Sequence, residues 1–253
     1  MSGHSKWATI KHKKGAADAK RGKIFSRLAK EITLAAKAGG GDAAMNPRLR
    51  TALNAAKAAN MPNDNVSRAI KKGTGELEGG ALIEMTYEGF APGGVAVIVY
   101  TMTDNKNRTA ADIRSTFTRH NSNLGANGSV SRIFHRRSRF VVEGPHANED
   151  KLLELLLDKG VDVEDVTVSD SLATIIAAAD AFGDVVVALE SAGIPISESS
   201  LTMVASTSVE HTDAGIARQV VRLIETLEEN EDVTEVFSNF EMSDALMGQL
   251  AAE

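Results

Sequence analysis

Residues 81–103, ALIEMTYEGFAPGGVAVIVYTMT, mark the point where the periodicity of the chain changes from that of helices to that of strands. Both halves of the stretch are rich in apolar and β-branched residues, and Ala91-Pro92-Gly93-Gly94 lies between them. Two such runs on either side of a turn rich in proline and glycine are typical of a β-hairpin. We therefore predict a hairpin here and assign the other elements on either side of it.

Three short helices are predicted before the hairpin, over residues 20–38, 47–60 and 63–72. The first has a helix-spaced apolar face made of Ile24, Phe25, Leu28, Ile32, Ala35 and Ala36. The run Gly39-Gly40-Gly41 ends it, because glycine is costly inside a helix and favourable at its end. Asn46 followed by Pro47 is a typical helix start, with a capping side chain and a proline in the first turn.

After the hairpin the sequence predicts a helix over residues 107–120, a polar loop and a strand-like segment, SVSRIF. Residues 139–204 follow as strand, helix, strand, helix and strand, which indicates a compact unit of the ferredoxin-like type. A last helix over 213–229 and a strand over 232–240 need a sheet to join, and we return them to the hairpin. The predicted fold class is α+β, an N-terminal three-helix domain followed by two α/β (ferredoxin-like) domains, the third inserted in the second. The predicted domains are a basic flexible arm (1–22), a helical domain (23–78), an α/β domain (79–138 plus 205–240) and an inserted acidic α/β domain (139–204).

Charge is strongly segregated along the 253 residues, although the net charge is only −6. Residues 1–72 contain 16 Lys and Arg against 4 Asp and Glu, whereas residues 141–253 contain 4 against 24. Such asymmetry indicates a polyanion-binding end, and pairing of the two ends with each other is the alternative. The absence of cysteine excludes disulfides and iron–sulfur clusters. Neither a secretory signal nor an apolar run of membrane-spanning length is present, so a cytoplasmic protein is expected.

The basic head is the first candidate site for nucleic acid. Lys and Arg neutralise phosphates, and the ring of Trp7 can stack on an unpaired base. On the first helix, cations occupy the arc opposite the apolar face. A disordered solubilising arm is the alternative interpretation of the head. The predicted nucleic-acid-binding residues of this head and helix are Lys6, Trp7, Lys11, His12, Lys13, Lys14, Lys20, Arg21, Lys23, Arg27 and Lys30.

A second basic patch is predicted where arginines cluster around residues 108 and 132–139. Its members are Arg108, Arg132, Arg136, Arg137 and Arg139. Arg108 and Asp112 are four residues apart, so a helical ion pair is the alternative for that arginine.

Other chemistry finds little support. The stretch GTGELEGG lacks the third glycine of a dinucleotide-binding loop and follows a helix instead of a strand. The six histidines have no metal-ligand spacing, and no nucleophile–base set is visible, so we expect no cofactor, no metal and no enzymatic activity. The glycine break at 39–41 replaces the short turn ahead of a recognition helix, so contacts with the nucleic-acid backbone or shape are favoured over base reading.

Four long segments resemble the YebC family. They are GHSKWATIKHKKGAADAKRGKIFSRLAKEI, NPRLRTALNAAKAANMPNDNVSRAIKKGTG, YEGFAPGGVAVIVYTMTDNKNRTAADIRSTFTRHNSNLGANGSV and LIETLEENEDVTEVFSNF. The resemblance spans nearly the whole chain and is weakest across residues 139–205. It implies three domains, the third inserted in the second, and control of gene expression through nucleic acid. It also implies that the basic head through Lys30 and the segment RAIKKG at residues 68–73 bind the nucleic acid, which adds Arg68, Lys71 and Lys72 to the predicted binding residues. Asn63 stands where a lysine is usual, and the segment MVASTSVEH lacks the customary proline and lysine.

Two functions remain open at this point. The first is a DNA-binding regulator of transcription, which is how bacterial members of the family are mostly described. The second is a translation factor that binds ribosomal RNA or tRNA and aids elongation. Both have a nucleic acid as the partner, without a membrane or a small-molecule substrate.

Overall fold

The computed structural model describes residues 17–78, 82–169, 171–243, 246–248 and 250, with side chains from Gly22 onward. Its helices are α1 (Ala17–Gly39), α2 (Pro47–Ala58), α3 (Asn63–Thr74), α4 (Lys106–Arg119), α5 (Glu149–Asp158), α6 (Phe182–Ser191) and α7 (Ala214–Glu229). Its strands are β1 (Ile83–Ala91), β2 (Val95–Thr103), β3 (Asn123–Leu124), β4 (Phe134–Glu143), β5 (Val163–Ser169), β6 (Leu172–Ala178), β7 (Ile196–Ala205), β8 (Val209–Glu210), β9 (Val233–Ser238) and β10 (Phe240–Glu241). The predicted fold class is confirmed, since a helical region precedes antiparallel sheets.

The described residues form two compact units. We call residues 132–208 the insertion unit, and the described residues before and after it the main unit. The helical bundle belongs to the main unit. The finer division into four domains that the sequence suggested stays a prediction.

The bundle of α1, α2 and α3 is packed mainly by small and aliphatic side chains. Its buried residues are Ile32, Ala35, Ala36, Leu49, Ala52, Ala56, Met61 and Ala69. Ile24 was predicted to belong to this apolar face, but it is 47% exposed. The helix itself starts at Ala17, three residues before the predicted start, and α3 continues through Gly73 to a left-handed cap at Gly75.

Asn46 connects two helices of the bundle. Its Oδ1 accepts a hydrogen bond from the backbone N–H of Leu49 at 3.1 Å, which confirms the predicted cap of α2. Its Nδ2 donates to the carbonyl oxygens of Ala35 and Gly40 at 2.8 and 2.9 Å. One side chain therefore satisfies backbone groups at the end of α1 and at the start of α2.

The main unit contains a four-stranded sheet in the order β3-β1-β2-β9. The central pair is the predicted hairpin, in register from Ile83 opposite Thr103 to Ala91 opposite Val95. Helices α4 and α7 pack on this sheet around Ile113, Phe117 and the buried face of α7. Asp213 caps α7 through its carboxylate, as expected for a helix that begins at this position.

The segment SVSRIF is not a strand as predicted. Residues Ser131–Ile133 form a 3-10 turn, and β4 begins only at Phe134. The backbone N–H groups of Val130 and Ser131 donate to the carboxylate of Glu88, so they are not available for a β-ladder.

The insertion unit has the chain order β4-α5-β5-β6-α6-β7 and the strand order β5-β6-β4-β7, with antiparallel neighbours. This is the ferredoxin-like arrangement. The strand that was not predicted is β5, in which two adjacent acids, Glu164 and Asp165, separate the first two valines. The main sheet differs, because its two central strands are joined directly by the hairpin.

Candidate nucleic-acid interface

The predicted binding residues of the basic head divide into three groups. Lys6, Trp7, Lys11, His12, Lys13 and Lys14 lie outside the described residues. Lys20 and Arg21 lie on the first turns of α1. Lys23, Arg27 and Lys30 follow on α1, whereas Arg68, Lys71 and Lys72 lie on α3.

Helix α3 presents an exposed cationic face. Arg68, Lys71 and Lys72 are three and four residues apart, so they lie on one side of the helix. All three are exposed, and none has an acidic partner within the described part of the chain. The opposite side carries Ala69, which is 3% exposed and belongs to the core of the bundle. Lys71 and Lys72 also stabilise the helix itself, because cations are favourable at a C-terminal end. We call these three residues the α3 cationic face.

Lys30 does not belong to an open cationic stripe. Its Nζ donates to Asp232 Oδ1 at 2.9 Å and to the carbonyl oxygens of Glu231 and Met102 at 2.8 and 3.2 Å. Three oxygens of the main sheet and its loop already surround the ammonium group, so binding of nucleic acid by Lys30 stays a prediction. Arg27 lies on the same helix, and its Nη2 is 3.7 Å from Glu235 Oε1.

Asp232 is the buried centre of this contact, at 5% exposure. Besides Lys30, its carboxylate accepts hydrogen bonds from Arg108 Nη2 at 2.9 Å, Thr109 Oγ1 at 2.8 Å and Thr103 Oγ1 at 3.2 Å. Burial would raise the pKa of Asp232, but the hydrogen bonds from Lys30, Arg108 and Thr109 lower that pKa from 3.8 to about 2. The carboxylate therefore joins α1 and α4 to the main sheet. Sequence reasoning missed Asp232, since it stands in the acidic run ENED and carries no distinguishing pattern.

Most of the predicted second basic patch is paired with acids. Arg108 Nη2 contacts Asp104 Oδ1 at 3.1 Å in addition to Asp232, and not the predicted Asp112. In the insertion unit, Arg137 Nε lies 2.5 Å from Glu164 Oε2, and Arg139 Nη1 lies 3.2 Å from Glu198 Oε2. Carboxylates thus already hold the guanidinium groups of Arg108, Arg137 and Arg139, and their role in binding nucleic acid stays a prediction.

Two members of the predicted patch keep an exposed side chain. Arg132 and Arg136 are both exposed in the insertion unit. Arg108 belongs to the main unit, so the five arginines are divided between the two units. A role for Arg132 and Arg136 in binding stays a prediction.

A second buried carboxylate, Glu88 on β1, holds the loop that follows β3. Its Oε1 accepts the N–H of Gly128 at 2.8 Å, and its Oε2 accepts the N–H groups of Val130 and Ser131 at 2.7 and 2.8 Å. Burial would raise the pKa of Glu88, but these three donors keep that pKa below its usual value. Sequence analysis missed this role too, because the donors are backbone groups that no side-chain motif reveals.

These elements define a mixed α+β protein in which a helical bundle precedes two antiparallel sheets. Residues 5–76 match the TACO1/YebC protein N-terminal domain, and residues 82–240 match the TACO1/YebC second and third domain. The chain belongs to the YebC family.

Full-length relatives carry regulatory names. A protein of Syntrophus aciditrophicus is 50% identical over 253 residues, the full length of both chains, and is named "Probable transcriptional regulatory protein". A protein of Geobacter sulfurreducens with the same descriptive name is 50% identical over 250 residues, which cover 99% of this chain and all of the relative. These names support a regulatory role for the family.

A solved structure shares the fold. The crystal structure of a conserved hypothetical protein from Aquifex aeolicus is 45% identical, with a TM-score of 0.80, and the match covers 94% of this chain and 97% of that one. None of the helices in the described ranges combines the length and the apolar character that crossing a membrane requires.

Proposed function

We propose that the protein is a non-enzymatic, cytoplasmic regulator of gene expression that binds DNA through the phosphates of its backbone. The single observation that supports this function best is the α3 cationic face. Lys30, Arg48, Arg108, Arg137 and Arg139 are each paired with acids, whereas the cations of α3 face solvent without one among the described residues. The regulatory names of the relatives agree with this function.

The connection ahead of α3 adds to the case for DNA. The glycine break at 39–41, which spoke against a helix–turn–helix motif, lies between α1 and α2. Only four residues, 59–62, separate α2 from α3. Short turns of this length join the two helices of DNA-binding helix–turn–helix motifs. The α3 cationic face is thus on a helix that can approach a groove of the duplex.

The salt dependence of binding tests the α3 cationic face. In the double variant Lys71→Gln/Lys72→Gln, we expect weaker binding to duplex DNA. The slope of log affinity against log salt should fall by roughly 0.9 for each phosphate that the variant no longer neutralises, because fewer counterions are released. The measurement is a titration of fluorescent DNA by anisotropy at several salt concentrations.

The matched control is Lys151→Gln/Lys159→Gln, which removes two exposed lysines of the insertion unit and the same total charge. It should leave the slope unchanged. Equal slopes for both double variants would contradict the assignment of the α3 cationic face, and a wild-type protein without affinity for nucleic acid would overturn the proposed function.

A regulator of translation bound to structured RNA is the second candidate. The observation that favours it is that exposed arginines without an acidic partner in the described part of the main unit also occur on α4 and α7, at Arg119 and Arg222. Cations spread over several helices suit a folded RNA, which proteins recognise by shape and phosphate positions.

Crosslinking in cells, followed by sequencing of the bound nucleic acid, separates the two candidates. We expect enrichment of promoter DNA if the protein regulates transcription. Recovery of ribosomal RNA or tRNA without promoter DNA would replace the DNA-binding function by the ribosomal one. An irradiated sample of cells that lack the protein is the control.

A further inference from the structure

We propose that the loop of residues 121–131 is a second nucleic-acid contact, which binds unpaired bases while Arg119 and Arg222 bind the adjoining phosphates. This inference rests on the proposed function, since it adds a contact to the same nucleic acid. The contact lies in the main unit, away from the α3 cationic face in sequence and on a different element.

The conformation of the loop is fixed by a buried charge. Glu88 is 5% exposed, and its carboxylate binds three backbone N–H groups of the loop, at Gly128, Val130 and Ser131. Burial of a carboxylate is costly unless hydrogen bonds replace its hydration. The buried carboxylate of Glu88 therefore fixes the backbone conformation of this loop.

Other hydrogen bonds restrain the first half of the same loop, on the N-terminal side of the residues that the Glu88 carboxylate binds. The N–H of Ser122 donates to Phe117 O at 2.9 Å, and the N–H of Gly125 donates to Glu88 O at 2.8 Å. Between them, Asn123 and Leu124 pair with β1. A Cβ at Gly89 would lie 2.5 Å from Asn123 O, so the glycine permits this close approach. The loop is thus attached to β1 along most of its length.

The side chains at the surface of this restrained loop are polar amides. Asn121, Asn123 and Asn127 are exposed, and their amide groups form no hydrogen bond with another described residue. Each amide offers both donors and an acceptor, which match the edges of bases. Because the backbone is already fixed, binding would cost little conformational entropy.

Cations flank the start of the loop. Arg119 lies in the last turn of α4, and its guanidinium donates within its own helix, to Ser115 O (3.4 Å) and Thr116 Oγ1 (3.5 Å). Arg222 comes from α7, which packs beside α4 in the same core. Both arginines act on His120, whose pKa is lowered by burial and by the two positive charges. The charges of two arginines from separate helices therefore act on the residue that precedes the loop.

This combination fits an unpaired strand better than a duplex. Arginine binds phosphate through a planar pair of donors, and exposed amides can hydrogen-bond the Watson–Crick edges of bases, which pairing occupies in a double helix. Single-stranded recognition commonly joins a cationic track to groups that contact splayed bases. The ligand class is a single-stranded segment of nucleic acid, such as a loop or an opened duplex.

The test compares two variants with matched controls on two probes. The probes are a short single-stranded DNA of mixed sequence and the duplex that it forms with its complement. Asn123→Ala/Asn127→Ala should weaken binding of the single strand by about fivefold for each hydrogen bond removed and leave the salt slope unchanged. Arg119→Gln should flatten the single-strand slope by roughly 0.7, because one arginine no longer neutralises a phosphate.

The controls remove the same kinds of side chain at positions outside the loop. Asn54→Ala removes an exposed amide of α2. Arg114→Gln removes an exposed arginine of α4 that lies about 140° around the helix from Arg119, given five residues of separation. Both controls should bind the single strand as the wild type does.

The outcomes distinguish the two proposals. If the loop variants bind the single strand as tightly as their controls, or lose duplex and single strand equally, the loop contact is overturned and the α3 cationic face stands on its own test. If the wild type binds neither probe, the proposed function fails and this inference fails with it.

Discussion

A carboxylate that is buried loses its hydrogen bonds to water, and the carboxylate of Asp232 accepts hydrogen bonds from four side chains instead. A buried ion without partners costs several kcal/mol, so the arrangement is stable only while its partners stay in place. Two of those partners, Lys30 and Arg108, are cations from different helices. The same charge that would be costly alone therefore holds the bundle against the sheet.

Replacing the carboxylate should destabilise the main unit at neutral pH. Asp232→Asn leaves Lys30 partly buried without a countercharge, and we expect a loss of about 3 kcal/mol. The pKa of Asp232 is lowered from 3.8 to about 2, so its stabilisation is complete above the unfolded value and is lost as the pH falls toward the folded value. The difference between wild type and variant should thus narrow below pH 3.8. Urea unfolding followed by circular dichroism, at neutral and at acidic pH, measures it.

Asp104→Asn is the control for this substitution. Asp104 contacts Arg108 on the surface, and its side chain is 54% exposed. An exposed ion pair contributes at most about 1 kcal/mol, so this variant should remain close to wild type. If the two variants unfold at the same urea concentration, Asp232 does not have the role that its contacts indicate.

Lys30 shows why the sequence predicts the helix face on which a residue lies better than it predicts the residue's contacts. Its position on the polar arc of α1 is visible from helical spacing, and a cationic surface is the ordinary inference from such an arc. Its partner, Asp232, lies near the other end of the chain, and only the pairing of β9 with β2 brings it there. Contacts of this kind follow from tertiary packing, which local patterns do not contain.

At the scale of the element, α3 approaches α1 closely at Gly73. A Cβ at this position would overlap the carbonyl oxygen of Thr33 and lie 2.7 Å from Ala36 Cβ. One turn earlier on α3, the carbonyl oxygen of Ala69 accepts a hydrogen bond from Thr33 Oγ1 at 3.0 Å. The two helices are therefore in backbone contact, and the α3 cationic face is held on the opposite side.

Gly73→Ala should separate these helices despite the higher helix propensity of alanine. We expect a loss of stability of about 1–3 kcal/mol, typical of overpacking. Thermal unfolding of the full chain by circular dichroism measures the effect.

Gly183→Ala tests the same exchange on α6, where a Cβ would meet no atom within 4 Å. This control should be neutral or stabilising by less than about 1 kcal/mol. A loss of stability as large as that of Gly73→Ala would show that the contact with Thr33 is not the cause.

Elements with local signals were predicted well. The caps Asn46 and Asp213 determine where α2 and α7 begin, because the same side chains that favour the start bind its free N–H groups. Strand β5 was not predicted, since the adjacent acids Glu164 and Asp165 interrupt its apolar pattern, and Val166 is buried only by packing in the core of the insertion unit. The turn at Ser131–Ile133 was also missed, because its cause is Glu88 on a distant strand.

At the scale of the whole molecule, the number of basic residues in the sequence exceeds the number available to bind phosphate, because some of them form ion pairs within the protein. Residues 1–72 contain 16 Lys and Arg. Within them Lys30 and Arg48 are used for internal ion pairs, with Asp232 and with Glu31 and Glu84. A count of charges therefore overestimates the cations available for phosphate, and the proposed binding surface is the α3 cationic face.

The position of Asp232 also has a consequence for the order in which a nascent chain can fold. By the time β9 is synthesised, residues 132–208 already contain every strand of their own sheet. Until then the main sheet lacks its edge strand β9, and the ammonium group of Lys30 lacks its partner Asp232. Domains tend to fold as units as they emerge. The main unit can therefore complete its sheet only after all the strands of the insertion unit have been synthesised.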